Sequence, residues 1–315
     1  MQINNSPERF AALLKDGLFE IAAESEEPTD VKILNSESEV VGVKRFLETE
    51  PFIVNVAHYF GDSIKVEPCV ADSPNVFLDN DRLATVKIRV ENSSNSVDSE
   101  SIPMLYARVG ASEGELLNKM PEPKTIYRNS CEQIDLWVDG QSLQVEIETL
   151  VDGVTESYQW GTLATPSGLV SIMVNAPKIM QLLDCANQTM PFRLKITVGD
   201  AVRYVEYLLI SSADEPLSFK WLNEFGAIES HPFDSICAQT READARGCRL
   251  SLLSEPEDGA VIKWLSGIIS AERVWLVVEG RVMPVEVVTD KVEILANQLQ
   301  RIVIEVALPN EILFN

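Results

Sequence analysis

Histidine is scarce in this sequence, and cysteine shows no recognisable spacing. Only His58 and His231 occur, far apart in the chain, so a histidine-based metal site or catalytic triad is hard to build. We expect His231, beside Pro232, to be a surface or structural residue. The cysteines are odd in number, scattered and without a CxxC pair, which disfavours zinc, redox and disulfide roles; they are Cys69, Cys131, Cys185, Cys237 and Cys248.

Several short motifs of well-known enzyme classes are also missing. GxGxxG, P-loop and HExxH patterns do not occur. The run Asp79-Asn80-Asp81 suggests calcium, but it lacks the glycine and the terminal glutamate of an EF-hand loop, so we predict a solvated turn. We therefore predict that the protein is not an enzyme and has no catalytic, cofactor-binding or metal-binding residues. A glycosidase-type pair of carboxylates stays open, because the sequence does not give their separation.

Positive charge is in short supply. The 26 Lys and Arg residues face 49 Asp and Glu residues, which gives a net charge of −23. Such a surface repels phosphate backbones and anionic lipid headgroups, so we expect neither nucleic acid nor a membrane as a partner. No apolar run is long enough to span a bilayer, and Met1–Phe10 has neither a basic nor an apolar signal region. We therefore expect a protein that is made and kept in the cytoplasm.

What the sequence does contain is many short apolar runs with period two, such as Leu83–Glu91, and these predict strands. At 315 residues, 45% of them apolar, the chain exceeds one ordinary core. Breaks at Gly110–Lys124 and Ser211–Pro216 predict three units. These are an N-terminal β domain with a leading short helix (1–110), a middle β-sandwich-like domain (111–213) and a C-terminal β domain with one helix (214–315). The predicted fold class is mainly β: tandem β-sandwich-like (Ig-like) domains with a few short helices.

Local signals place helices and turns within these units. The predicted helices are Asn4–Leu14, Ala176–Leu183 and Gly259–Ile269. The first of them rests on Ser6-Pro7, a capping hydroxyl before a helix-favouring proline. Asp152-Gly153 and Gly199-Asp200 lie between alternating apolar runs and predict two hairpins.

A further hairpin is predicted in the C-terminal unit, over Phe219–Phe233. Asn223 and Gly226 suit its turn, because both residue types tolerate a positive φ. On the returning strand, Glu229 is placed to accept hydrogen bonds from the turn amides. Such a hairpin would be a rigid corner for packing domains or for holding a partner. The predicted structural and candidate interface residues are Trp221, Asn223, Phe225, Gly226 and Glu229.

The tryptophans leave two interpretations open. Their strand or helix spacing favours positions in the core. Exposed side by side, they would instead form a platform for sugars, which makes a carbohydrate-binding or adhesin-like module the alternative function. The tryptophans are Trp137, Trp160, Trp221, Trp264 and Trp275.

The segment 223–229, Asn-Glu-Phe-Gly-Ala-Ile-Glu, resembles the aromatic-x-Asn-x-Phe-Gly-x-x-Glu signature of a family of virion or tail-associated proteins from Bacteroidetes phages and prophages. This chain departs from the family at Ile228 and at Ser230-His231, where members have Pro and Thr-Phe. Other segments are also similar to the family and occur in the same order, so that the resemblance spans nearly the whole chain. They are Val31–Val56, Lys124–Arg128 leading to Glu132, and Trp264–Ser270 followed by Val274-Trp275.

This resemblance implies a structural, self-assembling particle component with tandem β domains and no catalysis. We therefore predict a tail, baseplate or tail-tip associated protein of a phage or phage-like particle, located in the virion and assembled in the host cytoplasm. Its expected partners are other copies of itself and other virion proteins, and a host surface glycan is a further candidate. No cofactor is expected.

Overall fold

The structure is a computed structural model that describes residues 1–22, 27–47, 50–61, 64–151, 153–214, 217–241, 248–295 and 298–308. Strands dominate it throughout. The first part of the chain forms β1 (Gln2–Asn5), α1 (Leu13–Asp16), β2 (Leu18–Ala22), β3 (Thr29–Leu34), β4 (Val40–Phe46), β5 (Phe52–Asn55), β6 (Val76–Leu78), β7 (Leu83–Glu91), β8 (Ser96–Asp98) and β9 (Ile102–Leu105).

Two sheets of this N-terminal part enclose a common core. One has the strand order β1-β2-β5 and the other β4-β3-β7-β8, with β9 paired to β7. Along β7 every second side chain is buried, from Ala84 to Val90, as the alternation in the sequence predicts. These side chains meet Phe19, Ile21 and Val54 from the facing sheet.

The leading helix predicted over Asn4–Leu14 is wrong. Residues up to Asn5 belong to strand β1, and helix α1 has only the four residues Leu13–Asp16. Phe10 has a φ of +59°, outside the helical region, and its amide donates to the carbonyl of Pro103. Its ring stacks on Trp137 with the centroids 5.0 Å apart. Tertiary contacts of Phe10 therefore override the local helix signal at Ser6-Pro7.

The middle of the chain is a β sandwich. It contains β10 (Lys124–Tyr127), β11 (Cys131–Asp139), β12 (Leu143–Val151), β13 (Val154–Leu163), β14 (Ser167–Asn175), α2 (Ala176–Leu183), β15 (Thr189–Val198) and β16 (Ala201–Ile210). One sheet has the order β10-β16-β15-β12-β13 and the other β11-β14-β6. Ile134 and Ile172 from the second sheet pack with Val145 and Leu194 from the first in one buried core.

Strand β6 comes from the N-terminal part of the chain but completes this middle sandwich. Its residues Val76–Leu78 pair antiparallel with Val170–Ile172 of β14. The middle sandwich therefore contains a strand from before the predicted boundary at residue 110. The buried cores also cross the predicted boundaries: Leu222, Ile228 and Trp275 pack into the first core, and a separate buried cluster joins Phe10, Leu117 and Ala227 from all three predicted units. The boundaries themselves stay a prediction.

The local predictions in the middle unit are largely confirmed. Helix α2 has the predicted bounds, because the side chain of Asn175 caps it by accepting from the amide of Lys178. Both predicted hairpins form: Val151 pairs with Val154 around Gly153, and β15 pairs with β16 around Gly199. The other residue of the first turn, Asp152, lies outside the described residues.

The C-terminal part is a strongly curved sheet with a helical segment packed against it. It contains β17 (Leu217–Leu222), β18 (Ile228–Phe233), β19 (Ser235–Arg241), β20 (Cys248–Leu253), α3 (Gly259–Leu265), α4 (Gly267–Ser270), β21 (Val274–Val278), β22 (Arg281–Val287) and β23 (Val303–Leu308). The strand order is β18-β17-β21-β22-β23-β20-β19. Because β18 and β19 follow one another in the chain yet end the sheet on opposite sides, the sheet curls around its core. The predicted helix Gly259–Ile269 is present but divides at Ser266 into α3 and α4.

The prediction of a mainly β chain built from sandwich-like units with a few short helices is confirmed. Within the described residues, no helix combines the length and the apolar character needed to cross a membrane.

Candidate functional site

The hairpin β17–β18 lies where the three parts of the chain meet. It forms as predicted, with Trp221 paired to Glu229 across the two strands. Trp221 is 1% exposed, and its ring centroid lies 4.9 Å from that of Trp264 on α3. The opposite face of the hairpin carries Lys220, whose Nζ donates to the carbonyl of Cys131 at 2.6 Å. The hairpin is thus packed on both faces.

Asn223 shapes the turn and also ties it to the middle unit. Its Oδ1 accepts hydrogen bonds from the amides of Phe225 and Ala227, each at 3.0 Å. Its Nδ2 donates to the carbonyl of Leu117 at 2.9 Å and to Oε1 of Glu229 at 2.8 Å. One side chain therefore closes the turn and fixes it against the segment that enters the middle sandwich.

Gly226 lets the turn approach the N-terminal unit closely. Its φ is +82°, and a Cβ at this position would lie 2.9 Å from the carbonyl oxygen of Tyr106. Beside it, the carbonyl of Glu224 accepts from the amides of Arg108 and Val109 at 2.8 and 3.0 Å. Backbone contacts of this kind leave no space for a larger residue than glycine.

Glu229 is a buried carboxylate that holds the loop before β10. At 1% exposure, it accepts from the amide of Lys119 at 2.6 Å and from Asn223. Burial raises its pKa, although the bond from Lys119, the nearby charge of Lys124 and the bond from Asn223 oppose the shift. The prediction that Glu229 accepts from the turn amides is wrong, because Asn223 takes those bonds itself.

Arg82 connects all three parts at a single buried point. Its guanidinium is 2% exposed, and each of its five N–H groups has an acceptor. Two bonds, of 2.6 and 3.0 Å, go to the carboxylate of Asp135 on β11. The others reach Asp79, Ser171 and the carbonyl of Gly226. Asp135 in turn accepts from the amide of Ile228 at 3.1 Å, so the hairpin is held by both members of the ion pair.

The run Asp79-Asn80-Asp81 therefore does not form a simple solvated turn as predicted. Asp79 accepts from Nε of Arg82 at 2.7 Å, and its side chain is only 16% exposed. The residues 80–82 form a short 3₁₀ helix that directs Arg82 inward. The sequence analysis did not identify Arg82 or Asp135 as important. The only local signal was for Arg82, which lies three residues after Asp79.

An open cleft of about 620 Å³ lies beside the hairpin; we call it the hairpin cleft. Its floor is mainly apolar, with Trp221 and Phe225 from the hairpin side and Trp264 from α3. Lysines stand at its edge: Lys263 is exposed on α3, and Nζ of Lys119 lies 4.3 Å from the ring centroid of Phe225. Clefts of this size, about 300–1,000 Å³, are large enough to hold a ligand or an inserted side-chain cluster.

The five predicted hairpin residues are thus brought together, with Trp221, Asn223, Phe225 and Glu229 lining the cleft and Gly226 behind it. Of the tryptophans, Trp160, Trp221 and Trp275 are buried, which confirms a core position for them. The remaining two, Trp137 and Trp264, are half-buried.

His231 is a packed residue of β18, in line with the structural interpretation, since it is only 9% exposed. Its Nε2 lies 3.2 Å from a carboxylate oxygen of Glu257, and its ring contacts that of Trp264 edge-on at 5.5 Å. Across the described ranges, no group of three or more His, Cys, Asp and Glu side chains is arranged to hold a metal ion.

The letters of residues 110–114, Gly-Ala-Ser-Glu-Gly, match the GxSxG pattern of a nucleophile elbow. That motif requires a sharp turn from a strand into a helix. Here the segment lies in the connection between β9 and β10, and the amide of Ser112 donates to the side chain of Glu115. The structural context of the motif is therefore not met.

Comparison with known proteins does not identify a family for this chain. No protein-family model and no curated protein matches the chain. Among solved structures, the titin domains Z1Z2 in complex with telethonin align with 10% identity and a TM-score of 0.20, over 66% of this chain and 94% of that one. A protein of unknown function from Porphyromonas gingivalis W83 aligns with 12% identity and a TM-score of 0.19, over 66% and 98% of the two chains.

A third similar structure contains the N-terminal four Ig domains of Dscam1 isoform 9.44. It aligns with 9% identity and a TM-score of 0.18, over 78% of this chain and 67% of that chain. Similarities with TM-scores this low carry no argument about function, so the function has to be argued from the site itself.

Proposed function

We propose that the chain is a structural protein that works through contacts with other proteins, including further copies of itself, in a larger assembly. The observation that carries this proposal is the buried joint formed by Arg82, Asp135 and the β17–β18 hairpin. It couples three β units through charged and backbone hydrogen bonds shielded from water. Several β units held together in this way would keep the proteins bound at their two ends at a fixed distance and orientation.

The polar groups of the joint support a structural role rather than catalysis. The side-chain oxygen and nitrogen of Asn223 both form hydrogen bonds with groups of its own chain. Every N–H of the Arg82 guanidinium likewise has an acceptor. Groups so fully engaged are poorly placed to bind a substrate or to transfer a proton. The protein is thus proposed to be a non-enzyme.

In its finer form, the proposal is a tail, baseplate or tail-tip associated component of a phage or phage-like particle. The resemblance of residues 223–229 to the virion family supports this form, and those residues are the ones that build the joint. The particle would assemble in the host cytoplasm from copies of this chain and other virion proteins.

The alternative, binding of a surface glycan, calls for aromatic rings that lie open in a shallow groove. Trp221 in the hairpin cleft is only 1% exposed. The side-chain amide of Asn223 donates a hydrogen bond to the carboxylate of Glu229 there, so neither group is open to a sugar. These features favour assembly over sugar stacking.

Two measurements test the proposed function. Light scattering and negative-stain imaging of the purified protein over a range of concentrations should show discrete oligomers or rings. Mass spectrometry of particles purified from lysed cultures of the source organism should find the chain at a fixed ratio to other particle proteins. A protein that stays monomeric, is absent from such particles and binds on a glycan array would overturn the proposal in favour of the alternative.

A further inference from the structure

Lys124 and Glu132 form a buried ion pair beside the core of the middle sandwich. Nζ of Lys124 lies 2.6 Å from Oε2 of Glu132, and the two side chains are 6% and 2% exposed. Lys124 is on β10, two residues before the core residue Ile126, and Glu132 is on β11, two residues before the core residue Ile134. Because side chains two apart on a strand share a face, both point into the sandwich. The pair therefore joins the two sheets of the sandwich.

The carboxylate of Glu132 lacks the hydrogen bonds that a buried ion pair normally has. Among the described residues, neither of its oxygens has a hydrogen-bond donor in bonding geometry, so the contact with Nζ is one of charge and not an aligned bond. The pair of Arg82 and Asp135 is the contrast, because every N–H of that guanidinium has an acceptor. Removing two charges from water is costly unless such bonds compensate. The ionised form of the Lys124–Glu132 pair is therefore disfavoured at this position.

The surroundings of the pair favour its neutral form. Tyr207 lies beside Lys124 in the ladder of β10 and β16, and the ring centroid of Trp264 is 5.7 Å from Nζ. Transfer of one proton from Nζ to Oε2 gives an amine and a carboxylic acid, neither of which carries a charge that needs solvation. A neutral lysine amine in a desolvated site is a nucleophile. Since Cδ of Glu132 is bonded to Oε2, Nζ lies at most about 3.8 Å from it, close to the separation of about 3–3.5 Å between atoms poised to react.

We propose that the side chains of Lys124 and Glu132 condense to an amide, which cross-links the two sheets of the middle sandwich. Nζ bonds to Cδ, the C–OH bond of the carboxylic acid breaks, and a proton from the nitrogen leaves with that hydroxyl group as water. One ammonium and one carboxylate thus give one amide and one water molecule, without oxidation or reduction. Because burial shields the product from water, its hydrolysis is disfavoured. Such a bond goes beyond the proposed assembly function and does not depend on it.

A solvated pair of similar geometry provides an internal control. Nζ of Lys32 lies 2.5 Å from Oε1 of Glu91 on the N-terminal sheet, but these side chains are 32% and 30% exposed. Water solvates both ions there, so the charged forms are favoured and the nitrogen has no free lone pair. Lys32 and Glu91 should therefore stay unlinked.

Mass spectrometry of the purified full chain, unfolded before measurement, tests the cross-link. The natural sequence should be lighter than its calculated mass by one water molecule. Trypsin cuts after Arg128, between the two linked residues, so the cross-linked peptide should have two N-termini. Its fragment spectra should place the bond at Lys124 and Glu132.

Three variants complete the test. Lys124→Arg keeps the positive charge, but its guanidinium stays protonated and does not form the amide, so this variant should have its full calculated mass. The double variant Lys124→Met with Glu132→Leu should also have its full mass, and it keeps the core filled if the arginine variant does not fold. The control Lys32→Arg should still lack one water. Full mass of the natural sequence after days at neutral pH, or a water loss that persists in Lys124→Arg, would overturn the cross-link and leave the assembly function untouched.

Discussion

Removal of the Arg82 side chain should weaken the fold strongly. Substitution Arg82→Met leaves the carboxylate of Asp135 buried at 0% exposure without its cation. Breaking a buried ion pair from one side typically costs about 3–5 kcal/mol, because the remaining charge has lost its compensation. We expect a loss of this size in the free energy of unfolding measured with urea.

The matched control is Arg89→Met. Arg89 also makes a two-bond ion pair, with Asp98, but on the exposed surface of the N-terminal sheet. Solvent screens such a pair, so the free energy of unfolding should hardly change. Equal losses in the two variants would mean that burial of the Arg82 pair is not what makes it important.

Glu229 should make stability depend on pH in a defined direction. Burial raises its pKa in the folded protein above the ordinary value of a glutamate. Its contribution is then fully present below the unfolded pKa, at about pH 4, and is lost as the pH rises through the folded pKa. Relative to the natural sequence, Glu229→Gln should therefore gain stability as the pH is raised towards about 7. Urea unfolding of both proteins across this range measures the difference, and a constant or opposite trend would contradict the assignment.

At the scale of elements, the turn of the β17–β18 hairpin offers a matched pair of glycines. Gly226 and Gly280 both close hairpins and have φ values of +82° and +75°. A Cβ at Gly226 would lie 2.9 Å from the backbone of Tyr106, whereas a Cβ at Gly280 has nothing within 4 Å. Both alanine variants carry the cost of a left-handed backbone, about 1–2 kcal/mol. Gly226→Ala should lose distinctly more in thermal unfolding, and equal losses would show that the close approach does not constrain the turn.

Elements with strong local signals could be predicted from the sequence. Helix α2 begins at a capping Asn175 followed by Ala176-Pro177, and its predicted bounds are the observed ones. The Phe219–Phe233 hairpin likewise follows from alternating bulky residues and Gly226. Phe10 shows the limit: a ring that stacks on Trp137, far away in sequence, decides the local backbone, and no window around residue 10 contains that information.

At the scale of the whole molecule, the joint predicts cooperative unfolding. Side-chain hydrogen bonds tie the hairpin to both other parts of the chain: Asn223 donates to the carbonyl of Leu117, and Arg82 donates to the carbonyl of Gly226. Calorimetry should therefore show one main transition for the natural sequence. Asn223→Ala removes the bonds to Leu117, Phe225 and the other turn groups and should broaden or split that transition. Separate transitions in the natural sequence would contradict the coupling.

The joint itself could be predicted only in part. The turn residues Asn223 and Gly226 have local reasons to be where they are, so the sequence pointed to them. Arg82 and Asp135 lie 53 positions apart, and Arg82 and Gly226 lie 144 apart. Pairing charges over such distances requires the sheet topology, which a single sequence does not contain.

Strand β6 has a consequence for how the protein is made. A ribosome releases Val76–Leu78 well before it has synthesised their partners on β14. The nascent chain thus carries a short unpaired strand after the N-terminal sheets have been synthesised, and the middle sandwich closes only after residue 172 emerges. A gene fragment that starts at the predicted boundary would encode a middle sandwich that lacks one strand of its sheet. Transfer of this unit to another gene should therefore give a folded sandwich only if the transferred segment starts at or before residue 76.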